Sequence, residues 1–243
     1  MAPIQHAPTF SVKDATNLVL ELYGLKGNAK ILPSERDQNF LIESDSGNSY
    51  VFKIANALED LNLLEAQNRA MTHLAKQTAF CQQVVLTQSG NDISEVYSQG
   101  DVKHFVRLLS YLPGIPLGES KRHSNSLLKD LGRCLGQIDR AFTDFDHPAV
   151  HRDFYWDLAN ALKIVHQHCS LIEEEELRQS INKFVKIFEN QIVPLFPKLR
   201  KSVIHNDAND YNVIVGGGDN LHTRNQQITG LIDFGDMVYS YTV

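Results

Sequence analysis

Three oxygen-bearing side chains near the end of the chain have the types and the spacing that a metal-dependent reaction requires. Asp207 and Asn212 lie in "VIHNDANDYNVIV" (203–215), and Asp233 lies in "GLIDFGD" (230–236). Both segments contain apolar runs rich in Val and Ile next to turn-forming residues, which is typical of buried strands. The three side chains are therefore predicted at strand ends, where their oxygens can hold a hard divalent cation or position a hydroxyl group.

The order of these residues also matches the parts of a kinase-like phosphoryl-transfer site. His205, Asp207 and Asn212 fit the pattern His-x-Asp-x-x-x-x-Asn, and 233–235 is an Asp-Phe-Gly triplet. Such a site needs a carboxylate at the acceptor hydroxyl, oxygen ligands on Mg²⁺ and a lysine on the nucleotide phosphates. Each motif alone is a weak signal, because Asp and Asn are also common in turns and helix caps. The two motifs in this order make a strong combined signal.

The elements that must position these residues begin with a region rich in predicted strands. Ser11 and Asp14 can cap a first helix, which Gly24 ends. The segment 39–55 then reads as two strands joined by a polar turn, and a helical pattern of apolar residues follows from Leu58 to Ala75. Three further strand candidates come next: "QVVLTQ", "SEVYSQ" and "HFVRLLSYL".

The second region is predicted to be mostly helical. The breaker "LPGIPLG" (112–118) ends regular structure, and apolar residues then recur at helical spacing over 127–138 and 177–192. We therefore expect an α+β, protein-kinase-like fold with two lobes. Residues 1–112 are predicted to form a β-rich, nucleotide-binding N-terminal lobe, and residues 113–243 a mostly helical, catalytic C-terminal lobe.

Lys53 and Glu65 are the candidates for binding the nucleotide. Lys53 closes a predicted strand, and Glu65 lies on the following helix. An ion pair between them would aim the ammonium group at the α- and β-phosphates. The alternative is a lysine at a strand edge and a solvated glutamate. The chain has no glycine-rich Walker sequence, and "PSERDQNF" (33–40) occupies the place of a phosphate-covering loop, where backbone N–H groups can bind phosphate.

Composition limits the partners of the chain. Its 243 residues carry a net charge of −6, which argues against nucleic acid or an anionic membrane as the main partner and suits a cationic small molecule. Three widely spaced cysteines do not form a disulfide framework, and no targeting or membrane-spanning segment is recognised. We expect a cytoplasmic protein.

The motifs "HNDANDYN" and "IDFGD" resemble those of the aminoglycoside phosphotransferase and choline kinase superfamily, although Asn206 replaces the usual glycine. "YVFKI", "VRLLSYLPGIPL" and "DHPAVHRDFYWDL" extend the resemblance to hydroxylysine kinases and to phosphotransferase modules fused to class III aminotransferases. The resemblance implies that Asp207 faces the acceptor hydroxyl and that Asn212 and Asp233 bind Mg²⁺. It also implies that ATP or GTP is the donor and that a small amine-bearing metabolite, hydroxylysine as first candidate, is the acceptor.

Two alternatives stay open. Motifs common to the superfamily fit choline, ethanolamine, homoserine or an aminoglycoside as the acceptor equally well. A non-catalytic nucleotide-binding module of a larger fused enzyme is the second alternative, against which the intact set of Asp207, Asn212 and Asp233 argues.

The resemblance raises two expectations about the C-terminal lobe. Family members continue through further helices after the Asp-Phe-Gly segment, so the lobe is expected to be incomplete, to belong to a longer or fused chain, and to expose an apolar patch at 237–243. Arg152, Asp153, Trp156 and Asp157 either line an acceptor pocket or form a solvated helix start with core aromatics.

Overall fold

The chain is built around a six-stranded antiparallel sheet. The computed structural model describes residues 6–98, 100–218, 220 and 222–242. The strands of this sheet are β1 (Gly27–Leu32), β2 (Gln38–Ser44), β3 (Ser49–Ile54), β4 (Val84–Val85), β5 (Ser94–Tyr97) and β6 (Lys103–Ser110). They lie in the order β1-β2-β3-β6-β4, and β5 also pairs with β6. The strands predicted for this region are confirmed.

The two faces of this sheet pack against different helices. Side chains alternate between faces along a strand, so Phe52 and Ile54 of β3 join a buried apolar cluster that also contains Val19 of α1 (Val12–Tyr23). Helix α1 begins and ends as predicted, because Ser11 and Asp14 form a reciprocal capping box and Gly24 adopts a left-handed conformation. The opposite face of the sheet packs on α2.

Helix α2 (Leu61–Leu74) begins later than the sequence pattern predicts. The side chain of Asp60 accepts a hydrogen bond from the Asn62 amide and caps the helix, so Leu58 lies outside it and is 73% exposed. The buried face of α2 carries Leu64 and Met71, together with the polar Gln67 and Asn68.

The remaining α-helices are α3 (Asn125–Ala141), α4 (Ala161–His168) and α5 (Glu175–Ile187), followed by a π-helical turn (Phe188–Ile192) and a 3-10 segment (Val193–Lys198). The remaining strands are β7 (Ile115–Pro116), β8 (Lys201–Ile204), β9 (Val213–Gly216), β10 (Gln227–Leu231) and β11 (Val238–Tyr241). Strands β10, β9 and β7 form one small sheet, and β11 pairs with β8. The prediction that 112–118 lacks regular structure is wrong at β7, where Pro116 is tolerated because β7 is an edge strand.

One apolar cluster joins the two halves of the chain. It contains Ala70 and Met71 of α2 together with Leu127 and Ile138 of α3 and Phe142. The antiparallel sheet and the five α-helices of the described residues confirm the predicted α+β class, whereas the division of the chain at residue 112 stays a prediction.

The apolar patch expected at the end of the chain lies elsewhere. Met237 and Val238 are fully buried, so the prediction of an exposed patch is wrong for these residues, whereas Tyr239 is 37% exposed and Val243 lies outside the described residues. Exposed apolar side chains lie instead on the α4–α5 region, where α4 and α5 contain no buried residue and Phe184 is 69% exposed. None of the helices over the described residues is long and apolar enough to cross a membrane.

Candidate active site

The segment after β8 is anchored by a buried histidine. His205 is 4% exposed; its Nε2 donates to the carbonyl of Ile232 (3.1 Å) and its Nδ1 accepts from the amide of Asp207 (3.3 Å). Burial lowers the pKa of His205, so the imidazole is neutral. Asn206 next turns the chain with a φ of 65°, a left-handed value that Asn tolerates better than most residues. His205 is therefore a packed, hydrogen-bonded structural residue.

Asp207 and Asn212 are held together by the amide of Asn212. Its Nδ2 donates to the Oδ2 of Asp207 (2.8 Å) and to the Asp207 carbonyl (2.9 Å), while Asn209 donates to Oδ1 of Asp207 (2.8 Å). These bonds fix both orientations: the Asp207 carboxylate is held by two amides, and the Oδ1 of Asn212 receives no hydrogen bond from the described part of the chain. That oxygen is free to act as a metal ligand.

Asp233 lies in a tight turn after β10. Its φ is 62°, and its Oδ1 accepts from the Gly235 amide (3.2 Å) and lies 3.9 Å from Nζ of Lys53. The charge of Lys53 is the largest influence on this carboxyl group and lowers its pKa. Asp233 is therefore ionised at neutral pH, and its side chain is 53% exposed. An exposed anionic oxygen next to an ammonium group suits a metal-bound phosphate.

Lys53 thus pairs with Asp233 in this structure. The ion pairs among the residues described do not include one between Lys53 and Glu65, and Glu65 is half-buried on α2. The α2 residues that face the Lys53 side of the sheet are Gln67 and Asn68, which accept hydrogen bonds from Arg107 of β6. The proposed roles of Lys53 and Glu65 in nucleotide binding stay predictions.

Asp236 and Arg152 complete the cluster. The pKa of Asp236 is raised by burial and by the charges of Asp207 and Asp233, which shows that the three carboxylates lie within electrostatic reach of each other. Arg152 donates from Nη2 to the carbonyls of Gly235 (2.7 Å) and Met237 (3.1 Å), and so fastens the turn that carries Asp233.

Sequence reasoning gave Arg107 and Asp236 no role. Arg107 interrupts an otherwise apolar strand, "HFVRLLS", and a charged residue in such a run is a detectable signal of a buried polar site. Asp236 follows the Asp-Phe-Gly triplet directly, but its proximity to Asp207 depends on the packing of β10 and cannot be obtained from spacing.

Comparisons with known proteins agree with this arrangement. The pattern of the family described as "Phosphotransferase enzyme family" matches residues 28–243. Hydroxylysine kinase of Mus musculus is 31% identical over 97% of this chain and 67% of its own length.

Two solved kinases share the fold. A microcompartment-associated aminopropanol kinase superposes with a TM-score of 0.70 at 16% identity, over 95% of this chain and 71% of the other. Amicoumacin kinase in complex with AMP-PNP, Ca²⁺ and Ami superposes with a TM-score of 0.67 at 15% identity, over 96% of this chain and 66% of the other.

The chain therefore spans about two thirds of the length of the relatives it matches. The structural matches establish the fold, while the family pattern and the hydroxylysine kinase match establish the family to which the chain belongs. Both the predicted resemblance and the predicted kinase-like fold are confirmed: the chain belongs to the phosphotransferase enzyme family.

Proposed function

We propose that the chain transfers the γ-phosphoryl group of ATP or GTP to the hydroxyl of a small amine-bearing metabolite, with hydroxylysine as the first candidate. The observation that carries this proposal is the joining of two pairs: Asp207 with Asn212 on one segment, and Lys53 with Asp233 between the sheet and the Asp-Phe-Gly turn. The match to hydroxylysine kinases supports the choice of acceptor.

Asn212 and Asp233 are proposed to hold Mg²⁺. Their donor atoms fit this ion, because Asn212 offers an unbonded Oδ1 and Asp233 an ionised carboxylate. Two protein ligands are enough, since Mg²⁺ retains waters and takes further oxygens from nucleotide phosphates. When bound, Mg²⁺ would supply positive charge that offsets the charge of the nucleotide phosphates.

Asp207 is proposed to face the acceptor hydroxyl and to accept its proton. The two amide donors hold the carboxylate in one orientation, and a positioned carboxylate can accept a proton from a hydroxyl group. Because catalysis of phosphoryl transfer consists mostly of positioning and electrostatics, a rigidly held carboxylate suits this role.

Lys53 is proposed to bind the nucleotide phosphates. Its side chain is only 13% exposed, and Nζ lies on the Asp233 side of the sheet. The segment 33–37 between β1 and β2 is proposed to cover the phosphates. A hydrogen bond from the Asn56 amide to Oδ1 of Asp37 (3.0 Å) attaches this segment to the residues that follow β3. Glu65 keeps a proposed supporting role for Lys53.

The test is direct phosphoryl transfer. The chain, supplied with Mg²⁺ and γ-labelled ATP or GTP, is assayed on hydroxylysine, choline, ethanolamine, homoserine and an aminoglycoside. We expect transfer to hydroxylysine to exceed transfer to the others. Asp207→Asn serves as the matched inactive control. Nucleotide binding without transfer to any acceptor would instead support the non-catalytic module.

We further propose that the enzyme acts in the cytoplasm and as part of a longer or fused chain. Its three cysteines are all free, which suits a reducing compartment. The exposed apolar residues of α4 and α5, such as Phe184, suit coverage by additional protein. Sedimentation and transfer assays of this chain beside a longer natural form would test the second point: equal activity and equal solubility would contradict it.

A further inference from the structure

A second cation lies beside Lys53 on the same face of the sheet. Strands β3 and β6 are antiparallel neighbours, and Arg107 is the residue directly opposite Lys53. Side chains of directly opposed residues project from the same face of a sheet and are close neighbours. Arg107 is buried, with 5% of its surface exposed.

The partners of Arg107 are neutral. Its Nη1 donates to Oδ1 of Asn68 (3.0 Å), and its Nη2 donates to Oε1 of Gln67. Both amides lie on the buried face of α2. The ion pairs found in the described ranges do not include Arg107, although a buried charge is usually paired with an opposite charge. The two amides therefore accept hydrogen bonds from the guanidinium group without placing an opposite charge in contact with it.

The surrounding charges act on Arg107 only from a distance. Burial lowers the pKa of Arg107, while the carboxylates of Asp37, Asp233, Glu59 and Asp92 raise it. An arginine nevertheless remains charged in a protein. Because the groups in direct contact with Arg107 are neutral, part of its positive potential remains available to a further anion, such as a phosphate, on the same face of the sheet.

We propose that Arg107 is a positioning residue for the nucleotide triphosphate: its buried charge, held in place by the neutral side chains of Gln67 and Asn68, favours the position of Lys53 next to Asp233 and strengthens the binding of phosphates there. The inference rests on the nucleotide-binding part of the proposed function. Repulsion between two neighbouring cations favours a Lys53 position close to a carboxylate, and Nζ of Lys53 lies 3.9 Å from Asp233.

The neutrality of residue 67 is the distinctive part of this arrangement. A glutamate at this position would accept the same hydrogen bonds from Arg107 but would cancel its charge. Gln67 instead preserves the geometry and leaves the positive potential in place. Gln67→Glu therefore changes the charge next to Arg107 while keeping its hydrogen bond, so the effects of charge and of hydrogen bonding can be measured separately.

The experiment measures how much the phosphates add to binding. Titration calorimetry with excess Mg²⁺ gives the affinities for nucleoside triphosphate and for the bare nucleoside, with adenosine and guanosine both tested. We expect Gln67→Glu and Arg107→Gln to lower the triphosphate-to-nucleoside affinity ratio by about tenfold, because each removes one net positive charge near the phosphates. Nucleoside affinity should stay unchanged in both.

Two further variants serve as controls. Arg107→Lys keeps the charge and should retain most of the wild-type ratio. Arg69→Gln removes a cation from the exposed side of α2 and should leave the ratio unchanged. Gln67→Glu keeps a hydrogen-bond partner for Arg107, so it remains informative where Arg107→Gln fails to fold.

The outcomes separate this inference from the proposed function. An unchanged ratio in Gln67→Glu, or an equal loss of nucleoside and triphosphate affinity, would overturn the role of Arg107 while wild-type transfer activity stood. A wild-type chain that transfers no phosphate but shows the predicted changes in the ratio would overturn the proposed function and leave this inference standing.

Discussion

The region of the main sheet and the α4–α5 region use similar residues in opposite ways. Phe52 of β3 is fully buried and packs edge-on against Tyr23 of α1, whereas Phe184 of α5 is 69% exposed. Both lie in elements with a regular apolar pattern. The comparison teaches that periodicity shows which face of an element is apolar but does not show whether anything covers that face. The described site residues all lie outside α4 and α5.

The largest effect expected from this contrast is on stability. Phe52→Ala should lower the free energy of unfolding by about 3–5 kcal/mol, because it leaves a cavity in a packed cluster. The matched change Phe184→Ala should alter it by no more than about 0.5 kcal/mol. Denaturant unfolding followed by circular dichroism measures both. Similar losses in the two variants would mean that the face of α5 is covered in solution.

The next effect is on turnover. Asp207→Asn should reduce the turnover number by about 10²-fold or more, because an amide cannot accept the hydroxyl proton, and should leave Mg²⁺–nucleotide affinity nearly unchanged. Glu176→Gln, which removes an exposed carboxylate from α5, is the control and should have almost no effect. Steady-state kinetics provide the numbers, and near-wild-type turnover of Asp207→Asn would refute its assignment.

A smaller effect is expected at the proposed metal ligand. Asp233→Asn should weaken nucleotide binding by about tenfold in the presence of Mg²⁺, since one charged ligand of a hard cation is lost. With the metal chelated, the variant and the wild type should differ little. Calorimetry under the two conditions tests this, and equal effects of the Asp207 and Asp233 substitutions would contradict the division of roles.

The smallest expected effect is a difference in the rate at which a reagent labels the three cysteines. Burial raises the pKa of Cys81 to about 11, so almost none of this thiol is ionised at pH 8, and Cys134 is buried as well. Cys169, which directly follows α4, is only partly buried. A maleimide reagent should therefore modify one cysteine rapidly and two slowly, as read by mass spectrometry. Loss of the fast reaction in Cys169→Ser identifies the site.

The sequence was sufficient to predict the strands that flank the site, because short apolar runs bounded by turn residues have a local cause. Strands β8, β9 and β10 lie where the quoted segments predict them. The order of Asp207, Asn212 and Asp233 along the chain also predicted the family correctly, because two motifs with fixed internal spacing seldom occur together by chance.

The residues around Lys53 on its face of the sheet were harder to predict, because they depend on which face α2 turns toward the sheet. The cap at Asp60 sets where α2 begins, and the buried face then presents Gln67 and Asn68 toward the sheet. A ladder between β3 and β6 places Arg107 beside Lys53, and strand pairing over more than fifty residues cannot be derived from local patterns. The polar residues Gln67 and Asn68 on the apolar face of α2 were the signal in the sequence that could have indicated a buried polar partner.

The bonds from Arg152 to the carbonyls of Gly235 and Met237 have a consequence for how the protein is controlled. Displacing a turn fastened on both sides of Asp236 would require both hydrogen bonds to break, which opposes an effector that acts by moving this turn. We therefore expect no lag before steady state and no activation by modification. Flux through the proposed reaction should then follow the supply of acceptor and nucleotide.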